Sequence, residues 1–319
     1  MLYSIIVPVY NRPDEIDELL LSLTHQSFSD FEVLIVEDGS ENRCKDVVDR
    51  YHDRLDIRYF YKENSGQGFS RNFGFERANG EYFVVFDSDC LIPENYFETV
   101  NRELQAKRID CWGGPDKAHP SFSAIQKAIS YSMTSPFTTG GIRGKEKRIG
   151  DFHPRSFNMG ISREVYEKTG GYNITRMGED IEFSLRIIKE GFRTALIPEA
   201  YVYHKRRTDF RQFFRQLHFF GRARVNISRF YPDQMKTIHL LPALFLLGIP
   251  ASLGFLIFGV PYAWILPMLY LAFAGLIFAD GYRESKDLEV ASLCVPAAFI
   301  QLTAYGAGLL EELNTETRD

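Results

Sequence analysis

The stretch S-I-I-V-P-V-Y-N-R at residues 4–12 begins with a β-branched apolar run and ends in polar side chains. Its apolar part, Ser4–Val9, is typical of a buried strand. Pro13–Gln26 then repeats isoleucine and leucine at i, i+3, i+4 and i+7, which predicts one face of a helix. A second apolar run at Phe31–Val36 predicts the next strand, so the chain opens with a strand–helix–strand unit.

The same alternation continues along the chain. Helices are predicted at residues 44–51 and 70–78, and strands at Ile57–Tyr61 and Tyr82–Phe86. Strands that alternate with helices indicate right-handed crossovers and a mostly parallel sheet. Such sheets bind ligands at the carboxyl ends of their strands. Polar clusters follow three of the predicted strands, so we expect them to meet at one edge, where a nucleotide could lie; they occupy residues 8–12, 37–40 and 87–89.

The third of these clusters contains a D-x-D pair, Asp87 and Asp89, directly after the strand Y-F-V-V-F. Two carboxylates at this spacing can hold Mg²⁺ or Mn²⁺ against a diphosphate, since these ions prefer oxygen ligands. Aspartate is also common in turns, so the pair indicates a metal site only because it follows the fourth strand of the predicted sheet. We predict that Asp89 binds the metal directly. Asp87 is a second candidate ligand, and the ribose or the sugar is its favoured contact.

The bulk composition narrows the class of protein. The chain has 319 residues, 45% of them hydrophobic and 25% charged, and a net charge of −5. A general nucleic-acid binder usually carries a basic excess, so no nucleic-acid partner is expected. The four cysteines form no C-x-x-C pair, which favours a reducing compartment. The first ten residues are typical of a strand and not of a signal peptide, so the catalytic part is expected in the cytoplasm.

Several motifs together carry a resemblance to a known family. They are V-P-V-Y-N-R-P, V-E-D-G-S, G-Q-G-F-S-R-N-F-G, F-D-S-D, and the later N-M-G, G-G-Y and G-E-D-I-E-F-S-L-R. In this order they resemble glycosyltransferase family 2 over roughly residues 3–205. The resemblance implies the α/β GT-A fold, with a mostly parallel sheet, and transfer of a sugar from a nucleotide-sugar donor. The apolar C-terminal part is similar to that of membrane-bound bacterial members.

The resemblance implies a set of nucleotide-sugar-binding residues at strand ends and in the glycine-rich segment: Pro8, Val9, Tyr10, Asn11, Arg12, Glu37, Asp38, Gly66, Arg71, Asp87 and Ser88. Glu37 and Asp38 occupy the acidic pair that contacts uracil and ribose, although the family more often has two aspartates there. Gly66 would let backbone approach the ligand, and Arg71 would pair with a phosphate or the sugar. The alternative for this segment is a loop that caps a helix.

The resemblance also implies the catalytic pair, Glu179 and Asp180, at the start of a helix predicted over Gly178–Glu190. In an inverting mechanism one carboxylate takes the proton of the attacking acceptor hydroxyl, and we assign this role to Asp180. The alternative is that both acids only stabilise the helix N-terminus. His204 is the expected third metal ligand, and the alternative is a structural histidine.

The C-terminal third changes character. Residues 205–231 combine aromatic and basic side chains, which favours a helix at the bilayer interface over a helix packed on the protein surface. Three uncharged stretches follow at 238–260, 262–279 and 290–310. Each is close to the length that crosses a membrane, and the alternative is a buried soluble bundle. The first two are joined so closely that they could form a tight hairpin or re-enter.

The expected organisation is a GT-A domain at 1–208, an interfacial region at 209–236 and a transmembrane region at 237–319. The positive-inside rule places the catalytic domain at the cytoplasmic face of the inner membrane. With three spans, the C-terminus would lie outside. Membrane lipids are therefore expected partners, and the sequence does not specify an oligomeric state.

The favoured function is transfer of one sugar from a donor, UDP-linked by the family pattern, to a lipid-linked or membrane-proximal glycan acceptor. Processive members carry Q-x-x-R-W, whereas residues 212–216 here are Q-F-F-R-Q. A processive polysaccharide synthase and a catalytically inactive membrane scaffold are the alternatives. Loops at 113–122 and 140–157 are expected to contact the donor sugar, but they carry no pattern that identifies it.

Overall fold

The computed structural model describes residues 1–140 and 152–315. They form two compact units. The first comprises the described residues within Met1–His119 and Glu146–Lys205, and the second those within Pro120–Lys145 and Arg206–Asp319. Most of the predicted loop at 140–157 therefore lies outside the described residues.

The described residues of the first unit contain ten strands, of which β1, β2 and β3 are the longest. Their bounds are β1 Tyr3–Val9, β2 Phe31–Asp38, β3 Ile57–Lys62, β4 Tyr82–Phe86, β5 Cys90–Leu91, β6 Cys111–Gly113, β7 Asp116–Lys117, β8 Asn158–Ser162, β9 Thr194–Leu196 and β10 Val202–His204.

Twelve α-helices occur among the described residues of the whole chain. Their bounds are α1 Pro13–Leu23, α2 Lys45–Asp49, α3 Gln67–Phe75, α4 Tyr96–Ala106, α5 Ala124–Thr134, α6 Pro136–Thr139, α7 Arg163–Thr169, α8 Glu179–Lys189, α9 Phe210–Phe230, α10 Leu241–Ile257, α11 Ile265–Ser285 and α12 Leu288–Leu313.

Seven strands of the first unit form one sheet in the order β3-β2-β1-β4-β8-β6-β9. The first four strands of this order are parallel, and β8 is antiparallel to both of its neighbours. A second sheet contains β5, β10 and β7. The architecture is the mixed α/β, GT-A-like fold with a mostly parallel sheet that the sequence predicts. The carboxyl ends of β1, β2 and β4 lie side by side, because these strands are neighbours and point the same way.

The sequence explains which residues of these strands and helices are buried. Every residue of β2 is buried, as in a sheet covered on both faces. Helix α1 buries Ile16, Leu19, Leu20 and Leu23, the apolar face that its periodicity predicts. Both elements thus take the orientation that removes the most apolar surface from water.

Helix α3 begins three residues earlier than predicted. Its N-cap is Gly66, whose φ of 87° lies in the left-handed region that favours glycine. A Cβ at Gly66 would lie within 2.3 Å of the Thr175 hydroxyl oxygen. The start of this helix is therefore set by a long-range contact, which local periodicity does not reveal.

The second unit is helical, and α5 and α6 belong to it. Ala128, Ile129 and Met133 of α5 share an apolar core with Phe213 of α9 and Ala297 of α12. The sequence expectation had placed residues 120–140 in the catalytic domain. The difference arises because the apolar face of α5 is buried against C-terminal helices that are distant in sequence.

Among the described residues of this unit, three helical segments are long and apolar enough to cross a membrane. They are Thr237–Ile257, Ile265–Ser285 and Leu288–Leu313, with mean hydropathies of 2.2, 1.6 and 1.6. The first includes a 3₁₀ turn at Thr237–Leu240. These three segments overlap the three stretches that the sequence singled out.

Candidate active site

The residue at the centre of the candidate site is Asp89. Its side chain is 11% exposed and contacts two basic groups. Arg12 Nη1 lies 2.5 Å from Asp89 Oδ2, and His204 Nε2 lies 3.0 Å from Asp89 Oδ1. Arg12 follows β1 and His204 ends β10, so the fold unites three residues that are far apart in sequence.

These contacts define a group of possible metal ligands. Ligand atoms of Asp89, Cys90 and His204 all lie within 4.8 Å of one another. A carboxylate and an imidazole suit Mn²⁺ or Mg²⁺ better than a thiolate does, and the thiol would suit softer ions. The donor set at Asp89 and His204 therefore fits the divalent ion that the sequence predicts.

Asp87, the other predicted metal ligand, is placed differently. Its Oδ1 accepts a hydrogen bond of 2.9 Å from Arg71 Nη2, and its side chain is 35% exposed. Within the described residues it is not part of the group formed by Asp89, Cys90 and His204. The chain turns at Ser88 and Asp89 directly after β4, so the two carboxylates do not share the single face that residues two apart share in an extended strand.

Arg71 joins two parts of the site. It is only 1% exposed, and besides Asp87 it contacts Glu179, with 3.2 Å between Arg71 Nη1 and Glu179 Oε1. Gln67 also donates to Glu179. Two carboxylates hold the buried guanidinium, so the predicted contact of Arg71 with a phosphate or the sugar would require one of these contacts to open. Arg71 ties the end of β4 to the start of α8.

We expect Arg71→Met to lower the free energy of unfolding by about 3–5 kcal/mol, because removing one partner of a buried pair leaves a charge uncompensated. Burial, and then the charge of Asp180, already raises the pKa of Glu179 above its ordinary value of 4.5. A carboxyl whose pKa is higher in the folded state binds protons more readily there. Stability should therefore decrease as pH rises above 4.5, and more steeply without Arg71.

Urea unfolding of the full chain in mild detergent at pH 5 and pH 8 would measure both effects. Arg50→Met is the matched control, since Arg50 is 59% exposed and pairs with the half-exposed Asp17. It should cost less than about 1 kcal/mol. The role assigned to Arg71 would be contradicted if the two variants lost equal amounts of unfolding free energy. It would also be contradicted if the loss in Arg71→Met were the same at pH 5 and pH 8.

The acidic pair at the end of β2 is engaged within the protein. Glu37 is fully buried, and its Oε2 accepts hydrogen bonds from the Cys44 amide at 2.8 Å and the Tyr59 hydroxyl at 2.7 Å. A contact between Glu37 and uracil would require this packing to open. The longer side chain of Glu37 reaches the core between β2, β3 and α2, and its contact with uracil stays a prediction.

Asp38 organises the glycine-rich segment. It accepts hydrogen bonds from Lys62 Nζ at 2.5 Å, and from the Ser65 and Gly66 amides at 2.9 Å each. Burial alone would raise the pKa of Asp38, but Lys62 and the amide donors lower it below the ordinary value. The side chain is 6% exposed. Asp38 thus holds the loop before α3 against the end of β2.

The glycines of that segment pack against protein. A Cβ at Gly68 would lie 2.5 Å from the carbonyl oxygen of Ile174, and Gly66 meets Thr175 in the same way. The approach of a ligand to the Gly66 backbone stays a prediction. The close approach here is to the loop before α8, and the segment does cap a helix, the alternative that the sequence left open.

The end of β1 supplies the exposed part of the predicted site. Val9 is 1% exposed and Pro8 is partly buried, whereas Tyr10 is 53% exposed. Asn11 has a φ of 54°, and its amide donates to Ser40 Oγ at 2.8 Å. Its side chain also accepts from the Asn42 amide at 2.9 Å, so the turns after β1 and β2 are joined.

The candidate base, Asp180, lies in the first turn of α8. Its side chain is 22% exposed, and its Oδ2 lies 3.2 Å from Arg155 Nη1. The preceding Glu179 is 7% exposed and engaged by Arg71. Of the two acids, Asp180 is therefore the more accessible to an acceptor. Ser88, the middle residue of the D-x-D pair, is 7% exposed.

Sequence reasoning missed three residues of this site. Cys90 pairs in register with His204 between β5 and β10, and Arg155 and Gln67 contact the two acids of α8. The position of Cys90 next to Asp89 was the available signal for it. No local pattern marks Arg155 or Gln67, because their partners lie 25 and 112 residues away.

The chain was compared with known protein families, and it matches a glycosyltransferase family. The model described as glycosyl transferase family 2 matches residues 4–170, which is more than half of the chain. A protein described as an uncharacterized glycosyltransferase, EpsJ of Bacillus subtilis, is 26% identical over 217 residues. That match covers 64% of this chain and 61% of EpsJ, so the chain spans less than two thirds of this relative.

Two solved structures share the fold. Staphylococcus aureus TarS 1–349 in complex with UDP-GlcNAc has a TM-score of 0.51 at 20% identity, covering 71% of this chain and 67% of TarS 1–349. The mannosyltransferase PcManGT from Pyrobaculum calidifontis, in complex with GDP-Man and Mn²⁺, has a TM-score of 0.61 at 18% identity. It covers 98% of this chain and 87% of PcManGT. At these identities the likeness shows the fold alone.

Proposed function

The chain belongs to glycosyl transferase family 2, and from this premise we propose that it transfers one sugar from a UDP-linked donor to a lipid-linked or membrane-proximal glycan acceptor. The observation that carries the proposal is the cluster of Arg12, Asp89 and His204 beside the carboxyl ends of β1 and β4. Parallel sheets bind nucleotides at this edge. The exposed Tyr10 lies in the same strand-end turn as Arg12.

A divalent ion is part of the proposal. Asp89 and His204 would hold Mg²⁺ or Mn²⁺, and the fold relative PcManGT was solved with Mn²⁺ and GDP-Man. When bound, the ion would neutralise charge on the departing nucleoside diphosphate. Arg12 would add a positive charge to the same place. Asp87 would face the ribose or the sugar, oriented by Arg71.

Asp180 is the proposed catalytic base. The acceptor hydroxyl would give its proton to this carboxylate as its oxygen bonds to the anomeric carbon, while the bond from that carbon to the diphosphate breaks. Attack from the face opposite the leaving group inverts the anomeric configuration. The Ile181 amide donates to Asp180 Oδ1 at 2.8 Å, which holds the carboxylate at the start of α8. Arg155 would fix its orientation, at a distance of 3.2 Å.

A screen of nucleotide sugars tests the donor class. With Mn²⁺ present, a UDP-sugar at 100 times its dissociation constant should stabilise the folded chain by about 2.7 kcal/mol, measured as a rise in melting temperature. GDP- and ADP-sugars serve as the comparison. Stabilisation by a GDP-sugar alone would show that the donor carries guanine and not uracil. No stabilisation by any donor would contradict the nucleotide-sugar site itself.

Product length separates single transfer from processive synthesis. Gln216 stands where processive members have tryptophan, so we expect one new product of one added sugar on a defined acceptor. Mass spectrometry of the products at increasing reaction times would measure this. A ladder of longer products at low conversion would contradict single transfer while leaving the donor site intact.

The proposed location is the cytoplasmic face of the inner membrane. Support comes from the three apolar helices and from the basic residues that flank them, in α9 before Thr237, at Arg283 in the last turn of α11 and at Lys286 just after it. Basic flanks favour the cytoplasmic side. An acceptor attached to lipid would then be available at the same surface.

A further inference from the structure

Helix α12 is packed differently from the other two apolar helices. In its most apolar 18-residue window 44% of the residues are buried, compared with 11% in the first segment and 17% in α11. Between Val290 and Leu310 only Ser292 is exposed. A helix that crosses a bilayer beside α10 and α11 would present a flank to lipid. Helix α12 instead lies inside the second unit.

Both ends of α12 contact the base of the α10–α11 pair. A Cβ at Gly306 would lie 2.5 Å from the carbonyl oxygen of Pro242, in the first turn of α10. At the other end, a Cβ at Gly281 of α11 would lie 3.0 Å from Cys294 Sγ. The turn that joins α10 to α11 lies at residues 258–264, away from both contacts. The two ends of α12 are therefore near the end of the hairpin opposite to that turn.

Helix α9 covers the C-terminal half of α12. A Cβ at Gly308 would lie 2.0 Å from the His218 carbonyl oxygen, and one at Gly221 would lie 2.1 Å from that of Tyr305. The buried Glu312 accepts from Arg222 Nε at 2.9 Å and from Arg229 Nη1 at 2.8 Å.

These contacts hold α9 against the C-terminal half of α12. If α12 crossed the bilayer, α9 would have to accompany it with its arginines, which are Arg211, Arg215, Arg222, Arg224 and Arg229. Each costs about 2.5–3.5 kcal/mol at the centre of a membrane. Pairing with Glu312 relieves only two of them, and a charged pair is itself expensive in hydrocarbon. The packing of α12 on α9 therefore opposes a crossing by α12.

The α10–α11 pair has the opposite character. Its apolar side chains face outward, with Leu244 62%, Leu253 58% and Leu271 65% exposed. Residues 240–279 contain no charged side chain. The two arms, Thr237–Ile257 and Ile265–Ser285, have 21 residues each, close to the length that spans a hydrocarbon core of about 30 Å. Tyr262 and Trp264 lie at the turn, and such residues favour a membrane interface.

We propose that α10 and α11 form a helical hairpin inserted into the bilayer, and that α12 and α9 stay at the side from which the hairpin enters. The partner of the exposed apolar surface is bilayer hydrocarbon. The Leu313 end of α12 is then on the same side as the segment before α10. This replaces the expectation of three spans, which would put those two places on opposite sides.

Single cysteines in the full chain test the arrangement. Asp233→Cys marks the entry side, Phe258→Cys the turn, Glu289→Cys the start of α12 and Asn314→Cys its end, and all four positions are exposed. The native Cys44, Cys90, Cys111 and Cys294 are buried, so the parent chain measures the background. Sealed membrane vesicles of both orientations would be treated with a charged maleimide that does not cross membranes.

We expect Asp233→Cys, Glu289→Cys and Asn314→Cys to react from one and the same side. From that side Phe258→Cys should react at least about tenfold more slowly, because hydrocarbon excludes a charged reagent. Two results would overturn the proposal. One is reaction of Asn314→Cys only from the side opposite to Asp233→Cys. The other is rapid reaction of Phe258→Cys from the entry side. Neither outcome depends on transferase activity.

Discussion

Replacing Asp180 by Asn should lower kcat for sugar transfer by about 10²–10⁴-fold, the range that a positioned general base contributes. Asparagine keeps the size of the side chain but cannot accept the proton of the acceptor hydroxyl. The first turn of α8 also places Asp180 where its side chain remains 22% exposed. Steady-state transfer of a labelled sugar, measured with saturating donor and Mn²⁺, would give the change.

The control for this variant is Glu164→Gln, which removes an exposed acid from the first turn of α7. It should transfer sugar at the parental rate, since it changes helix-terminus charge without touching the site. Donor binding, measured by thermal stabilisation, should survive in Asp180→Asn. If Asp180→Asn kept the parental kcat, Asp180 would not be the catalytic base. Loss of donor binding together with kcat would assign it to the donor site.

Replacing Asp89 by Asn should lower transfer by about 10³-fold, because a metal that stabilises a leaving diphosphate contributes several kcal/mol. The carboxylate is the charged member of the group Asp89, Cys90 and His204, and an amide is a poor ligand for Mn²⁺. The variant should also bind Mn²⁺ more weakly. Electron paramagnetic resonance of free Mn²⁺ in a titration would measure that affinity without any turnover.

Asp53→Asn, at an exposed turn, is the matched control and should leave both affinity and transfer unchanged. Asp89 also contacts Arg12 and His204, so the melting temperature of the variant must be followed. If Asp89→Asn stays folded and binds Mn²⁺ as the parent does, the metal assignment is wrong. If it loses Mn²⁺ but keeps transfer, the ion has no part in catalysis.

Local sequence patterns predicted the part of the first unit from β1 to β4. Continuous apolar runs favour buried strands and apolar side chains at period 3.6 favour a helix face, so β1, α1, β2 and β4 lie within a few residues of their predicted places. The start of α3 was not predictable in this way. Its N-cap, Gly66, depends on Asp38 and on Thr175, and the second of these lies more than 100 residues later.

The candidate site also has a part that the sequence predicts and a part that only the fold decides. Strand-end acids and the acids before α8 are visible in the sequence, and their contribution to a site follows from strand order. Their partners are not visible. Arg71, expected to contact a phosphate or the sugar, is buried between Asp87 and Glu179, and Glu37 is held by Cys44 and Tyr59. A charged side chain in the interior must be paired, and the fold alone decides which partner is within reach.

The sequence by itself determined the strand–helix order, the family, the acidic residues available for chemistry and the presence of three apolar segments, because each depends on residue type and spacing along the chain. Only the tertiary structure decided which acids are engaged by arginine, that His204 lies against Asp89, and that α12 is covered by α9. These properties depend on contacts between residues far apart in sequence. Hydropathy measures whether a helix tolerates lipid, whereas packing decides whether any lipid reaches it.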